Sequence, residues 1–261
     1  MSRLLGIGWS DRLRKNVWSV PEGSKRDGRE FIQAGKDTRV RSYPIIKHGL
    51  DTIAAIILII VLFPLMVLAA IAIKLSSEGP IVFKQDRLGK DEKIFRMYKF
   101  RTMTVNPGED CKDKTDYKRL TRVGLFLRKT SIDEFPQLIN VLKQEMSFIG
   151  PRPLLTNYLP FYSEVERRRH SVRPGISGWA QVNGRNTLSW EQKFRYDIEY
   201  VDHYSWYFDV RILVLTFKKL FYKSEVITAG TAHSEMPLDR ERLQMTREDS
   251  SASSLRDATT T

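Results

Sequence analysis

A single cysteine, Cys111, leaves no partner for an intramolecular disulfide and rules out a multi-cysteine zinc site. That usage suits a reducing compartment. Histidine is nearly as scarce. His48, His170, His203 and His233 are scattered without metal-ligand spacing, and each reads more simply as a surface or hydrogen-bonding residue. Only one long apolar run occurs, which excludes a multi-span transporter. Residues 1–46 contain no apolar core segment, so no cleavable leader is expected. No internal repeat is found. Acidic side chains are the minority: 31 Asp and Glu stand against 43 Lys and Arg, a net charge of +12. The excess points to a polyanionic partner, whether nucleic acid, anionic lipid or a phosphorylated substrate. Composition does not choose among these, and a solvated basic surface has the same signature.

Hydrophobic residues make up 41% of the 261 positions. A sizeable core can form, in one domain with extensions or in two small domains. Residues 1–46 carry ten Lys and Arg against five Asp and Glu. They read as a basic N-terminal extension suited to anionic lipid. The apolar run is Ile53–Ile73, IAAIILIIVLFPLMVLAAIAI, 21 residues without a polar side chain. A straight helix of that length would be roughly 31 Å long, enough to cross a bilayer core. Pro64 near its middle removes a backbone hydrogen bond and kinks a helix. Cations flank both ends, Lys47 and His48 before, Lys74, Lys84 and Arg87 after, so charge gives no orientation. Two readings stay open: a spanning helix, and a re-entrant helix that bends at Pro64 and returns. Asp51 lies four residues after Lys47 on the same helix face. The two are expected to pair, because an unpaired carboxylate at a membrane entrance is costly.

The soluble part begins with Ile81–Phe83 and Ile94–Arg101, expected to pair as a β-hairpin with Gly89 in the turn. Lys99 and Arg101 alternate onto one face of the second strand and together can bind phosphate. Residues 104–119 are polar and read as a loop. The stretch RKTSIDEFPQLINVLKQEMSFIGPRPLL follows. Phe135, Leu138, Ile139, Leu142 and Met146 recur at helical spacing, which predicts a helix from near Asp133 to before Gly150. Ser131-x-x-Glu134 has the form of a capping box, which would make the acidic pair a helix cap. Pro136 counts against that register, since it would fall at the fifth helical position. A start nearer Asp133 puts Pro136 in the first turn, where it is tolerated. The other reading uses the neighbours. Arg128 and Lys129 lie upstream, and Arg152 sits between prolines in Gly150-Pro151-Arg152-Pro153, a stiff mounting for phosphate recognition or an ordinary turn. Carboxylates among cations suit Mg²⁺-assisted phosphoryl transfer.

Residues 155–172 and 189–203 are expected to be helical. Between them VRPGISGWAQVNGRN reads as a tightly turned loop in which Arg173 and Arg185 can donate to phosphate and Trp179 can stack. Trp206–Tyr222 fits an interfacial helix or a buried amphipathic one. Beyond Leu238 the chain turns polar and reads as a disordered tail.

Taken together, these blocks resemble the monotopic polyprenyl-phosphate sugar-1-phosphate transferases, a family of bacterial sugar transferases. The resemblance covers roughly Lys47 to Leu238. It rests on the Lys47–Asp51 entrance with its apolar run, YKFRTM at 98–103, SIDEFPQLINVLKQEMSFIGPRP at 131–153, VRPGISGWAQVNGRN at 172–186 and the aromatic helix near 206–222. It implies an α/β, mainly α, fold: a re-entrant membrane helix over 47–75 packed on a small cytoplasmic catalytic domain over 76–238, with short strands and interfacial amphipathic helices. The extension 1–46 and the tail 239–261 would flank it. It implies a bacterial inner-membrane enzyme that takes a UDP-sugar and undecaprenyl phosphate, releases UMP and uses Mg²⁺. Asp133 would be nucleophile and metal ligand, Glu134 its partner, and Arg128, Lys99, Arg101, Arg152 and Arg185 phosphate-binding positions. One position departs from the family: the break is often Ser-Pro, and here it is Phe63-Pro64. Rival readings are a membrane-anchored nucleic-acid-binding protein, for which no motif is present, and an inactive membrane scaffold. No Asp-x-Asp metal motif occurs.

Overall fold

A computed structural model describes residues 38–105, 119–184, 187–221 and 237–243. Its first element is a 39-residue helix, α1 (Thr38–Ser76), which contains Pro44 and Pro64 and carries the whole apolar run. The expected boundary between residues 46 and 47 therefore falls inside a helix. Both halves of α1 are seated on the chain that follows. Ala55 is buried among Phe95, Met97, Val141 and Met146. Ala69 and Ile73 are buried among Phe100, Leu127 and Ile132. Between these contacts Ile56, Ile57, Ile60, Val61, Phe63 and Leu68 are exposed.

The expected hairpin is present and longer than its sequence signal. β1 (Val82–Leu88) pairs antiparallel with β2 (Ile94–Phe100), from Val82 opposite Phe100 to Leu88 opposite Ile94. Gly89 does not supply the left-handed residues of the turn. Asp91 and Glu92 do, at φ 54° and 60°. Alternation along β2 sends Phe95 and Met97 to one core cluster and Phe100 to another.

α2 (Arg122–Thr130) is capped by Thr121, whose hydroxyl accepts from the Gly124 amide at 2.8 Å. A Cβ on Gly124 would lie 1.9 Å from the Thr102 carbonyl oxygen, so glycine lets α2 lie directly on the chain leaving β2. α2 stops at Ser131, which is left-handed at φ 60°. A 3₁₀ turn (Ile132–Glu134) and the short α3 (Gln137–Leu142) follow. The helix expected to reach almost to Gly150 thus ends early. Gln144 turns at φ 59°, and β3 (Ser147–Ile149) takes up the remainder. Within α3 the Asn140 side chain bonds outward to β2, and Pro136 stands at its N-terminal cap, where a missing amide hydrogen is tolerated.

β3 pairs in parallel with β4 (Gly175–Ser177), inside the segment expected to be loop. Here Gly150 and Gly175 approach closely: a Cβ on Gly175 would meet the Gly150 nitrogen at 2.1 Å. The remaining elements are a 3₁₀ segment (Thr156–Phe161), α4 (Glu164–Arg167), another 3₁₀ turn (Arg168–Ser171), α5 (Trp179–Asn183), α6 (Trp190–Asp202) and α7 (Trp206–Phe221). The stretch expected to be one helix over 155–172 is therefore three short pieces. On α7, Phe208 and Ile212 are buried, while Trp206, Tyr207, Val210, Val214 and Phe217 are exposed. It is both packed and apolar outward. The described residues from Ser42 onward belong to one compact unit.

One expectation at the C-terminal end needs correction. Residues 238–243 are helical rather than disordered. Leu238 is wholly buried with Leu88, Tyr158, Tyr162, Trp190 and Phe194, and Arg242 donates to Glu166 at 2.6 Å. Full burial of a leucine side chain contributes about 1.5 to 3 kcal/mol, which ties this polar segment down. The rest of 239–261 lies outside the described residues.

Candidate active site

The acidic pair sits on the 3₁₀ turn between α2 and α3. Ser131 is not its cap: its side chain makes no capping hydrogen bond and its backbone closes α2 instead. That removes the helix-cap reading of Glu134. Glu134 Oε1 accepts from Lys99 Nζ at 2.9 Å and from Arg152 Nη2 at 3.1 Å. Burial favours its protonated form, but Arg152 and Lys99 outweigh burial and hold the carboxyl at about 2. Burial and the charge of Arg152 in turn lower the Lys99 ammonium below the usual lysine range, against the pull of Glu134.

Asp133 is only 9% exposed and accepts no hydrogen bond from any described residue. Burial and the neighbouring Glu134 charge push its carboxyl above the ordinary range, against Lys99, Arg128 and Arg152. A buried carboxylate that the fold leaves without a donor is costly. Two adjacent acids thus differ sharply. Glu134 is fixed and ionised, whereas Asp133 has acceptor capacity that no described residue uses.

Of the five expected basic site residues, three, Lys99, Arg128 and Arg152, act electrostatically on Asp133, and Lys99 and Arg152 also on Glu134. Arg128, near the end of α2, donates from Nε to Thr102 Oγ1 at 2.9 Å. Arg101 does not join them. Its guanidinium donates to the carbonyls of Glu78 and Ser77 at 2.5 and 2.7 Å, closing the segment after α1. Strand alternation fails for it because β2 ends at Phe100. Arg185 lies outside the described residues.

The helix entrance is also rearranged. Lys47 does not hydrogen-bond Asp51; it pairs with Asp209 of α7. Asp209 also accepts from Tyr43 and Tyr200 at 2.5 and 2.6 Å. Asp51 accepts instead from Ser147 Oγ at 2.7 Å. Both side chains tie α1 to the chain that follows, through partners on distant elements that helical spacing alone could not find. Pro64 is exposed in the middle of α1.

Three further residues hold the site. Asn140 is fully buried; its side chain accepts from the Tyr98 amide at 3.1 Å and donates to the Arg96 carbonyl at 2.8 Å. It locks α3 onto β2 and so sets Glu134 against Lys99. Arg169 pairs with Asp197, both almost fully buried, and donates to the Arg152 carbonyl at 2.7 Å. It fixes the backbone between the two prolines. The only sequence hint of these roles was polarity where a helix face should be apolar, at Asn140.

Among the described residues no group of three or more metal-ligating side chains forms a cage. An Mg²⁺ bound through one carboxylate, substrate phosphates and water needs none, and the open acceptors of Asp133 fit it.

Comparison with known proteins identifies the family. A family model described as "Bacterial sugar transferase" matches residues 42–223. The chain is 48% identical over 176 residues to the uncharacterized sugar transferase EpsL of Bacillus subtilis, covering 67% of this chain and 87% of that one. It is 42% identical to an Aeromonas hydrophila UDP-N-acetylgalactosamine-undecaprenyl-phosphate N-acetylgalactosaminephosphotransferase, over 68% of this chain and 44% of the relative. It is 39% identical to the Escherichia coli UDP-glucose:undecaprenyl-phosphate glucose-1-phosphate transferase, over 68% and 40%. The chain thus spans less than half the length of these last two relatives. With the match extending over most of its length, the chain belongs to the bacterial sugar transferase family.

Proposed function

We propose that the protein transfers a sugar-1-phosphate from a UDP-sugar to undecaprenyl phosphate and releases UMP, as a first membrane step of glycan or exopolysaccharide assembly. The observation that carries the reading is Asp133: buried, without a donor among the described residues, and ringed by Arg128, Lys99 and Arg152 beside an ionised Glu134. A carboxylate in that position is available to phosphorus. The surrounding cations suit a diphosphate.

In this mechanism Asp133 attacks the sugar-bearing phosphorus through a carboxylate oxygen. The bond from that phosphorus to the bridging oxygen breaks, and its electron pair leaves with UMP. A phosphate oxygen of undecaprenyl phosphate then attacks the same phosphorus. The bond to Asp133 breaks and the carboxylate is restored. Splitting the transfer in two is ordinary covalent catalysis. Glu134 holds Lys99 and Arg152 in place, and Arg152 and Arg128 face the phosphoryl oxygens. Asp133 is also the residue to hold Mg²⁺, which when bound neutralises phosphate charge.

The lipid acceptor agrees with α1. Its two halves are seated on one soluble body while an apolar middle stays exposed. That supports a re-entrant helix turning at Pro64, with the catalytic domain on the cytoplasmic face of a bacterial inner membrane. The exposed apolar side of α7 would lie at the same interface. Nucleic acid has no place in this reading.

Purified full-length protein, undecaprenyl phosphate, Mg²⁺ and a panel of UDP-sugars should give UMP from at least one donor, and chelation by EDTA should stop it. No UMP from any donor would sink the assignment. Activity that survives thorough chelation would remove the metal alone.

A further inference from the structure

The cleft beside the acidic pair is lined by Lys99 and Arg152 and also by Arg87, Gln137, Pro153 and Gly175. Arg87 and Gln137 have no part in the mechanism above. Arg87 is held rigidly at the end of β1. Its backbone bridges Leu155, and the Leu88 amide donates to Leu154. Its guanidinium donates to Gln85 Oε1 at 2.6 Å and weakly to the Pro153 carbonyl at 3.4 Å. A guanidinium has five N–H donors, and Nε is buried without a partner. No carboxylate pairs with Arg87 among the described residues. Burial and the charge of Arg152 bring it down to about 10, so the fold itself does not compensate this cation.

Gln137 is the second, independent observation. It is 3% exposed, yet makes no hydrogen bond with any described residue. A glutamine amide in a folded interior normally finds partners. Its side chain borders the same cleft as Arg87. A cation without a counter-charge and an amide without a hydrogen bond among the described residues, lining one cleft, describe a site for an anion with hydrogen-bonding oxygens.

We propose that Arg87 and Gln137 form a second phosphate subsite, which takes the leaving nucleotide's phosphate while Arg128, Lys99 and Arg152 serve the phosphorus under attack. The proposal rests on the transfer reading above. A diphosphate donor has two phosphates, and the acidic pair with its three cations accounts for one. In-line displacement places the leaving phosphate on the far side of the reacting phosphorus from the nucleophile, so it needs a binding position of its own. Arg87 shares the cleft with Lys99 and Arg152 but makes no contact with Glu134. Bidentate guanidinium binding suits a terminal phosphate, and Gln137 adds an amide donor.

The test compares UMP with uridine, which differ by this phosphate. Full-length protein in nanodiscs is titrated calorimetrically with each, with Mg²⁺ present. The parent should bind UMP at least tenfold more tightly than uridine. R87M should shrink that preference to threefold or less, with R87K between, while uridine affinity stays within twofold. Q137E, which places a negative charge in the same cleft, should weaken UMP in the same direction, and Q137L more mildly. In turnover, R87M should raise the UDP-sugar KM and the UMP inhibition constant by tenfold or more, with a smaller fall in kcat. UMP binding by R87M and Q137E within twofold of the parent would overturn the subsite. So would a loss confined to the KM for undecaprenyl phosphate, which would assign the residues to the acceptor. Failure of the transfer reading shows elsewhere, as a parent protein that binds UMP but releases none from any donor.

Discussion

Asp133 and Asp209 are both 9% exposed, and they have opposite fates. Asp209, on α7, receives Lys47, Tyr43 and Tyr200, all supplied by the chain itself. Its acceptor capacity is committed to holding the entrance of α1. Asp133, on the 3₁₀ turn, receives no donor from a described residue although three cations stand near. Burial alone therefore does not separate a structural carboxylate from a functional one. The origin of the donors does. Where the fold supplies them the acid is an anchor, and where the described residues supply none the acid is, on the proposed reading, left for a ligand.

Neutralising Asp133 and stripping Asp209 of its cation should break the comparison in opposite directions. D133N should lower UMP release by about 10⁴-fold or more, as loss of a covalent nucleophile does. Its melting temperature should hold or rise, because a buried charge without donors is removed. Activity retained in D133N would remove Asp133 as nucleophile. The entrance should respond in stability. K47M leaves Asp209 buried beside no cation and should cost about 3 to 5 kcal/mol, read as a fall in melting temperature of the full-length protein in nanodiscs. An unchanged melting temperature would show that the tyrosines suffice.

A smaller effect separates Arg101 from the cations it was grouped with. R101M should destabilise by about 1.5 to 3 kcal/mol through the lost charged hydrogen bonds to Ser77 and Glu78. The UDP-sugar KM should stay within about threefold; a rise of tenfold would return Arg101 to the phosphate site. The smallest effect is in pH. Protonated Asp133 cannot attack, so activity should fall as pH drops through a value above the ordinary carboxylate range. E134Q removes a neighbouring negative charge and frees Lys99 and Arg152, all of which favour ionised Asp133. The acid limb of its residual activity should therefore move to lower pH. A limb that stays or moves upward would remove Glu134 as a cause of the shift.

Much of the site was legible because it is local. Asp133 and Glu134 are adjacent, Arg128 lies five residues upstream, and the Gly-Pro-Arg-Pro segment announces a stiff backbone. Lys99 was found through alternation along β2. The same rule misplaced Arg101, since alternation ends with the strand. Helical spacing misassigned the partner of Lys47, because two residues on one face can each find a better partner elsewhere. Arg87, Gln137 and Asn140 gave little signal. Each is an ordinary polar residue in a pattern until its surroundings are known.

By itself the sequence determined the apolar run, the hairpin, the acidic pair and the family blocks, because each is written in neighbouring residues through periodicity, turn chemistry or motif. Only the tertiary structure decided which acids keep free acceptors. Hydrogen-bond partners are chosen by proximity in space, and those of Asp209, Asp51 and Glu134 lie up to 166 residues away along the chain. It also decided that Ser131 ends one helix rather than capping the next, since its left-handed backbone follows from how α2 and the 3₁₀ turn meet.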